Sequence, residues 1–132
     1  MSFAYPWSGL ATIAAVLVFF WTGAMVARAR RRFGIKAPAT TGDPGFERVF
    51  RVQMNTLEQI AMFLPALWLA AVAFSDRWAA VAGAVWVVGR IVYARAYYVQ
   101  AEMRGPGFLM TILPTSILLI FAAFSIVQSL AA

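Results

Sequence analysis

Arg48, Arg51, Asn55 and Glu58 stand three and four residues apart inside a stretch that otherwise has the composition of a membrane-crossing helix. Those steps put all four on one helical stripe. An arginine or carboxylate at the centre of a bilayer costs roughly 2.5 to 3.5 kcal/mol on helix-insertion scales, so the stripe reads first as a functional site. A second stripe follows on the next apolar segment, where Arg90, Tyr93, Tyr97 and Arg104 recur at helical steps. Arg95 points away from that face and is expected to snorkel to the membrane surface. Together the stripes offer several guanidinium groups, one carboxylate, one amide and two phenols. Arginines clamp carboxylates with paired hydrogen bonds, while Glu58 takes an amine or orients an arginine, and Asn55 and the tyrosines add neutral hydrogen bonds. That set suits a small polar ligand with several carboxylates and one amine. A second, apolar substrate has access sideways from the bilayer.

Composition narrows the chemistry further. The chain has 132 residues, 63% hydrophobic and 12% charged, with a mean hydropathy of +0.78. It is therefore expected to be an all-α integral membrane protein, a four-transmembrane-helix bundle. It has no cysteine and no histidine, which removes thiolate nucleophiles, disulfides, and the commonest metal ligand and general base. No metal is expected, and a thiol, if used, arrives with the substrate. The net charge of +6 is concentrated in two places, so it reads as topology signals plus a site for an anionic ligand. Nucleic acid is not an expected partner.

Four elements must hold the two stripes. One domain covering 1–132 is expected, with spans at about 7–30, 46–74, 78–100 and 108–130. The uncharged run 7–27 would be about 31 Å long as a helix, matching a bilayer core of about 30 Å. Basic residues follow it instead of preceding it, so it is expected to remain as a span and not be cleaved as a signal peptide. Arg28, Arg30, Arg31, Arg32 and Lys36 lead into a first loop rich in Pro, Thr and Gly. The very short connection Ser75-Asp76-Arg77 makes spans two and three antiparallel neighbours. Gly105, Pro106 and Gly107 break the chain before span four, and Pro65 and Pro114 interrupt spans two and four. The basic loop and the 102–107 turn share one face, which the positive-inside rule makes cytoplasmic. Antiparallel packing then brings Arg51, Asn55 and Glu58 beside Arg90, Tyr93 and Tyr97, a charged pocket near that face. Plainer readings stand beside this one. The basic cluster also fits a headgroup anchor, Arg51 with Glu58 a register-fixing ion pair, and the tyrosines an interfacial belt.

The segment Phe46-Glu47-Arg48-Val49-Phe50-Arg51-Val52-Gln53-Met54-Asn55-Thr56-Leu57-Glu58, after Thr40-Thr41-Gly42 and before Arg90-Ile91-Val92-Tyr93 and Tyr97, resembles the MAPEG family of membrane-associated proteins in eicosanoid and glutathione metabolism. Within that family the likeness is greatest to leukotriene C synthase and the microsomal glutathione transferases. The resemblance implies a homotrimer of four-helix subunits that binds glutathione between adjacent subunits near the cytoplasmic face. It implies that Arg51, Asn55, Glu58, Arg90, Tyr93 and Tyr97 bind glutathione from one subunit, with Arg30 and Gln53 supplied by its neighbour. Arg104 matches the family's thiolate-stabilising arginine, and Arg31 a residue that assists at the electrophile. Gln59 departs from the pattern, standing where the leukotriene-synthesising member has a tyrosine that helps hold glutathione.

The function expected from this resemblance is a membrane-embedded glutathione transferase that activates the glutathione thiolate for attack on a hydrophobic electrophile or lipid. Glutathione peroxidase or isomerase activity is open on the same site. The alternatives are a non-catalytic lipid-binding scaffold of the same family and a small four-span transporter using Glu58 as its coupling carboxylate. Small size and the lack of a retention signal favour a bacterial inner membrane over endoplasmic reticulum.

Overall fold

The computed structural model describes residues 2–132 and is entirely helical in its regular elements. Four helices, α1 (Pro6–Phe33), α2 (Pro44–Ala73), α3 (Asp76–Val99) and α4 (Gly105–Ala131), follow one another, with a 3-10 turn at Ala101–Arg104 before the last. All four are long and apolar enough to cross a membrane. The central pair α2 and α3 each pack against both α1 and α4.

Local chemistry sets the helix ends. Pro6 and Pro44 occupy first-turn positions of α1 and α2, where the missing N–H has no intrahelical partner to lose. Asp43 caps α2 by accepting from the N–H groups of Gly45 at 2.7 Å and Phe46 at 3.3 Å. Gly34 ends α1 in the left-handed conformation, at φ 69°, and Arg30, Arg31 and Arg32 fill its last turn, where cations complement the helix dipole. The basic cluster expected to open the first loop is thus still helical as far as Phe33. Asp76, expected in a loop, begins α3 behind the Ser75 cap. The expected break at 105–107 instead starts α4, because glycine and proline are tolerated in a first turn.

Helix α1 has no capping side chain of its own. Asp76 supplies one from across the bundle: its carboxylate accepts the Trp7 N–H at 3.1 Å and the Ser8 N–H at 2.8 Å, while the Ser8 hydroxyl donates to the Asp76 carbonyl at 3.3 Å. A carboxylate on an exposed helix N-terminus satisfies orphan donors and opposes the positive end of the dipole. Asp76→Ala is expected to lower the thermal unfolding midpoint in detergent, with Asp76→Asn retaining part of the loss-free behaviour. An unchanged midpoint in the alanine variant would show that this tie carries no stability.

The far half of the core is apolar, centred on Phe63 of α2 stacked on Trp86 of α3 with ring centroids 4.3 Å apart. Toward the basic end, α3 and α4 approach through glycines. A Cβ on Gly107 would fall 2.3 Å from the Tyr93 backbone nitrogen, and one on Gly89 would fall 2.9 Å from the Met110 carbonyl carbon. Met110 is four residues before Pro114, so its carbonyl is the acceptor that the proline leaves without an intrahelical donor. Gly89 lets α3 lie directly against it. This close crossing fixes Tyr93 relative to the start of α4.

Candidate functional site

The polar residues of α2 and α3 meet at the basic end of the bundle. Arg51 and Glu58 form a two-pronged ion pair, Nη1 to Oε1 at 3.0 Å and Nη2 to Oε2 at 3.4 Å. Asn55, one turn between them and buried, donates its Nδ2 to the second carboxylate oxygen at 3.3 Å. The two charged side chains are each about half exposed, 50% for Arg51 and 52% for Glu58. Half of each charged side chain is thus left uncovered by the rest of the chain. In hydrocarbon that exposure would be costly.

Arg90 contrasts with Arg51, since its side chain is wholly enclosed. Its Nη2 donates to the Thr56 hydroxyl at 2.8 Å, and that hydroxyl donates onward to the Val52 carbonyl at 2.7 Å. Its guanidinium carbon lies 4.2 Å from the centre of the Tyr93 ring, a cation–π contact. Nε and Nη1 have no partner among the described residues. Buried guanidinium N–H groups without acceptors are costly, which sets Arg90 apart from every other arginine of the bundle. Thr56→Val keeps the shape but removes the one hydrogen bond Arg90 makes among the described residues. A bond to a charged group is worth roughly 1.5 to 3 kcal/mol, so the variant should melt several degrees lower in detergent. No change would mean that Thr56 does not hold Arg90.

From Arg90 the aromatic contacts continue outward. The Tyr93 and Tyr97 rings are 5.5 Å apart, and the Arg104 guanidinium carbon is 6.0 Å from the Tyr97 ring centre. Arg104 is exposed and donates to the Ala101 carbonyl at 2.8 Å. Arg51 and Tyr97 share the wall of a polar cleft of about 430 Å³, which Arg48, Gln100 and Glu102 also line. Arg48 Nε donates to the Tyr98 carbonyl at 3.4 Å. Six of the expected residues, Arg51, Asn55, Glu58, Arg90, Tyr93 and Tyr97, thus lie on the two facing stripes of α2 and α3, with Arg104 at their rim.

Three others lie elsewhere in the single chain. Arg30 is engaged with the first loop, donating to the Ala39 carbonyl at 2.8 Å and covering the Phe46 ring at 5.0 Å. Gln53 faces α1, its Nε2 lying 3.2 Å from where a Cβ on Gly23 would stand. Arg31 is exposed in the last turn of α1. The departure at Gln59 is buried, and its Oε1 has no partner among the described residues. Sequence spacing missed Thr56, which sits a third of a turn off the charged stripe. The signal for it was indirect: an enclosed arginine needs an acceptor, and a hydroxyl beside Asn55 is the nearest one α2 offers.

With the geometry in place, similarity to known proteins decides the family. The sequence pattern of the MAPEG family matches residues 8–124. The chain belongs to the MAPEG family. A protein of the cyanobacterium Synechocystis, described as uncharacterized, is 48% identical over 124 residues, covering 94% of this chain and 90% of that one. Bovine leukotriene C4 synthase is 38% identical over 93 residues, 70% of this chain and 62% of the synthase. Human microsomal glutathione S-transferase 2 is 36% identical over 104 residues, 79% of this chain and 71% of the transferase. This MAPEG chain therefore spans somewhat under two thirds of the length of leukotriene C4 synthase. The four helices long and apolar enough to cross a membrane are consistent with that membership.

Proposed function

We propose that this MAPEG protein is a membrane-embedded glutathione transferase that joins the sulfur of glutathione to a hydrophobic electrophile drawn from the bilayer. The observation that carries this reading is the convergence of Arg51, Arg90 and Arg104 on the Arg51–Glu58 pair, beside a cleft that Arg48, Glu47 and Glu102 also line. Glutathione brings two carboxylates and one ammonium. Its carboxylates would take the outer face of Arg51 and, once the enclosed Arg90 is uncovered, its Nε and Nη1, and its ammonium would approach Glu58, with Asn55, Tyr93 and Tyr97 adding neutral hydrogen bonds. The names of the related synthase and transferase point the same way.

In this reading Arg104, at the rim beside Tyr97, stabilises the thiolate. A thiol with a pKa near 8.5 is only a few per cent ionised at pH 7, and lowering that pKa by about two units takes roughly 2.7 kcal/mol of selective thiolate stabilisation. The thiol proton leaves to solvent, the sulfur forms a bond to carbon, and the electrophile's leaving group or ring oxygen departs with the electron pair. Arg31 assists that departing oxygen. The same thiolate, with a second glutathione, would reduce a lipid hydroperoxide to an alcohol and water with formation of glutathione disulfide.

The reading includes a homotrimer in which Arg30, Arg31 and Gln53 come from the neighbouring subunit. Two observations support it: those residues sit on the α1 side of their own chain, and the half-exposed Arg51–Glu58 pair needs a cover. The cytoplasmic face of a bacterial inner membrane is the setting. Titrating the purified protein with glutathione, following thiolate absorbance in the ultraviolet, tests the function. A saturable signal is expected, and no binding at millimolar glutathione would favour the lipid-binding scaffold instead.

A further inference from the structure

On the other side of the bundle, a groove of about 320 Å³ runs between α1 and α3, lined by Leu17, Val18, Trp21, Ile91 and Arg95. Arg95 stands about 140° around α3 from Arg90, so it cannot join the cleft described above. It is exposed, as are Leu17 and Ile91. Trp21 sits edge-on to Tyr98, with ring centroids 6.1 Å apart, and this holds the indole at the groove. Arg28 is seven residues beyond Trp21 and eleven beyond Leu17, which places it within about 20° of the same α1 face. It too is exposed.

Two cations therefore flank the basic end of an apolar trough. The single ion pair among the described residues is Arg51–Glu58, so neither Arg28 nor Arg95 has an acidic partner there. Arg95 lines the groove at the level of Trp21, while Arg28 stands about 10 Å farther along α1, and each side chain reaches toward the headgroup layer by snorkelling, Arg95 from below and Arg28 from above. Tryptophan favours that same level. A trough for one acyl chain, an indole at the interface and two unpaired guanidinium groups above it are complementary to one amphiphile.

We propose that the α1–α3 groove binds an anionic phospholipid, its phosphate between Arg28 and Arg95 and an acyl chain against Leu17, Val18 and Ile91. The net negative charge of the headgroup is the selected feature, because two cations outnumber the single charge that a zwitterionic lipid would offset with its own ammonium.

Native mass spectrometry of protein equilibrated with equal amounts of phosphatidylglycerol and phosphatidylcholine of matched chains tests this. The unaltered protein should retain phosphatidylglycerol preferentially. The double variant Arg28→Gln with Arg95→Gln should lose that preference roughly tenfold to thirtyfold, as two interfacial cations at about 1 kcal/mol each imply. Arg95→Lys should keep most of it. Equal retention of the two lipids by the unaltered protein, or an unchanged preference in the double variant, would overturn the proposal. Quenching by brominated phosphatidylglycerol, compared before and after Trp21→Phe, reads the same groove in a protein with both arginines intact. Its absence at Trp21 also counts against the lipid. Because the chain has no cysteine, Leu17→Cys and Ile91→Cys report a competing occupant: efficient disulfide formation between copies through these positions would assign the groove to a second copy.

Discussion

Arg104→Ala is expected to depress the glutathione thiolate signal and turnover about 25-fold at pH 7, while glutathione affinity stays within a few fold of the unaltered protein. The size follows from the roughly 2.7 kcal/mol assigned to thiolate stabilisation: a thiol whose pKa falls from about 8.5 to about 6.5 is roughly three-quarters ionised at pH 7, against about 3% without the shift. The selectivity follows from geometry. Arg104 is exposed, makes one hydrogen bond, to the Ala101 carbonyl, and lies 6.0 Å from the Tyr97 ring, so its loss leaves the α2 and α3 stripes intact. Raising the pH through the unperturbed thiol range should restore much of the variant's rate, because solvent then ionises the thiol. Arg104→Lys should recover part of the signal at neutral pH, as a point charge without the planar fork. Parallel loss of binding and turnover, with no rescue at high pH, would refute the thiolate role and make Arg104 a binding residue.

Gly107→Ala should be the most damaging single substitution to the shape of the site. The added methyl would fall 2.3 Å from the Tyr93 nitrogen and 2.5 Å from its Cα, and backbone cannot swing aside as a flexible side chain does. Helices α3 and α4 must separate at their crossing. Overpacking of this kind typically costs about 1 to 3 kcal/mol, sometimes more, and here it also shifts Tyr93, the ring under the Arg90 guanidinium. Both the melting midpoint in detergent and glutathione affinity should fall. Gly105→Ala is the matched control, since nothing lies within 4 Å of its Cβ position and its φ of −52° suits any residue. Equal melting of the two variants would mean the crossing is looser than its geometry.

Much of this was legible in the residue order. Four long apolar runs broken by turn residues dictate four helices, and steps of three and four along Arg48, Arg51, Asn55 and Glu58 dictate that these share a face. What spacing could not supply was how deeply each side chain lies. Arg51 and Arg90 look alike in sequence, yet one is half open and the other wholly enclosed, a difference set by which neighbouring helix covers each. Asp76 reads as a loop residue because its partners, the N–H groups of Trp7 and Ser8, are nearly seventy positions away. Gly107 reads as a breaker, although here it permits a close helix contact. Such features depend on pairing between elements, which local pattern does not encode.

The Asp76 tie also bears on the order of assembly. During synthesis α1 is finished and enters the membrane well before Asp76 leaves the ribosome, so its first N–H groups are met at that stage by water and lipid headgroups. Only when the α2–α3 hairpin has inserted can the carboxylate replace them. The last part of α1 to become fixed is thus its beginning, and the clasp that fixes it is made by α3, which joins the start of α1 to the bundle after insertion and not during it.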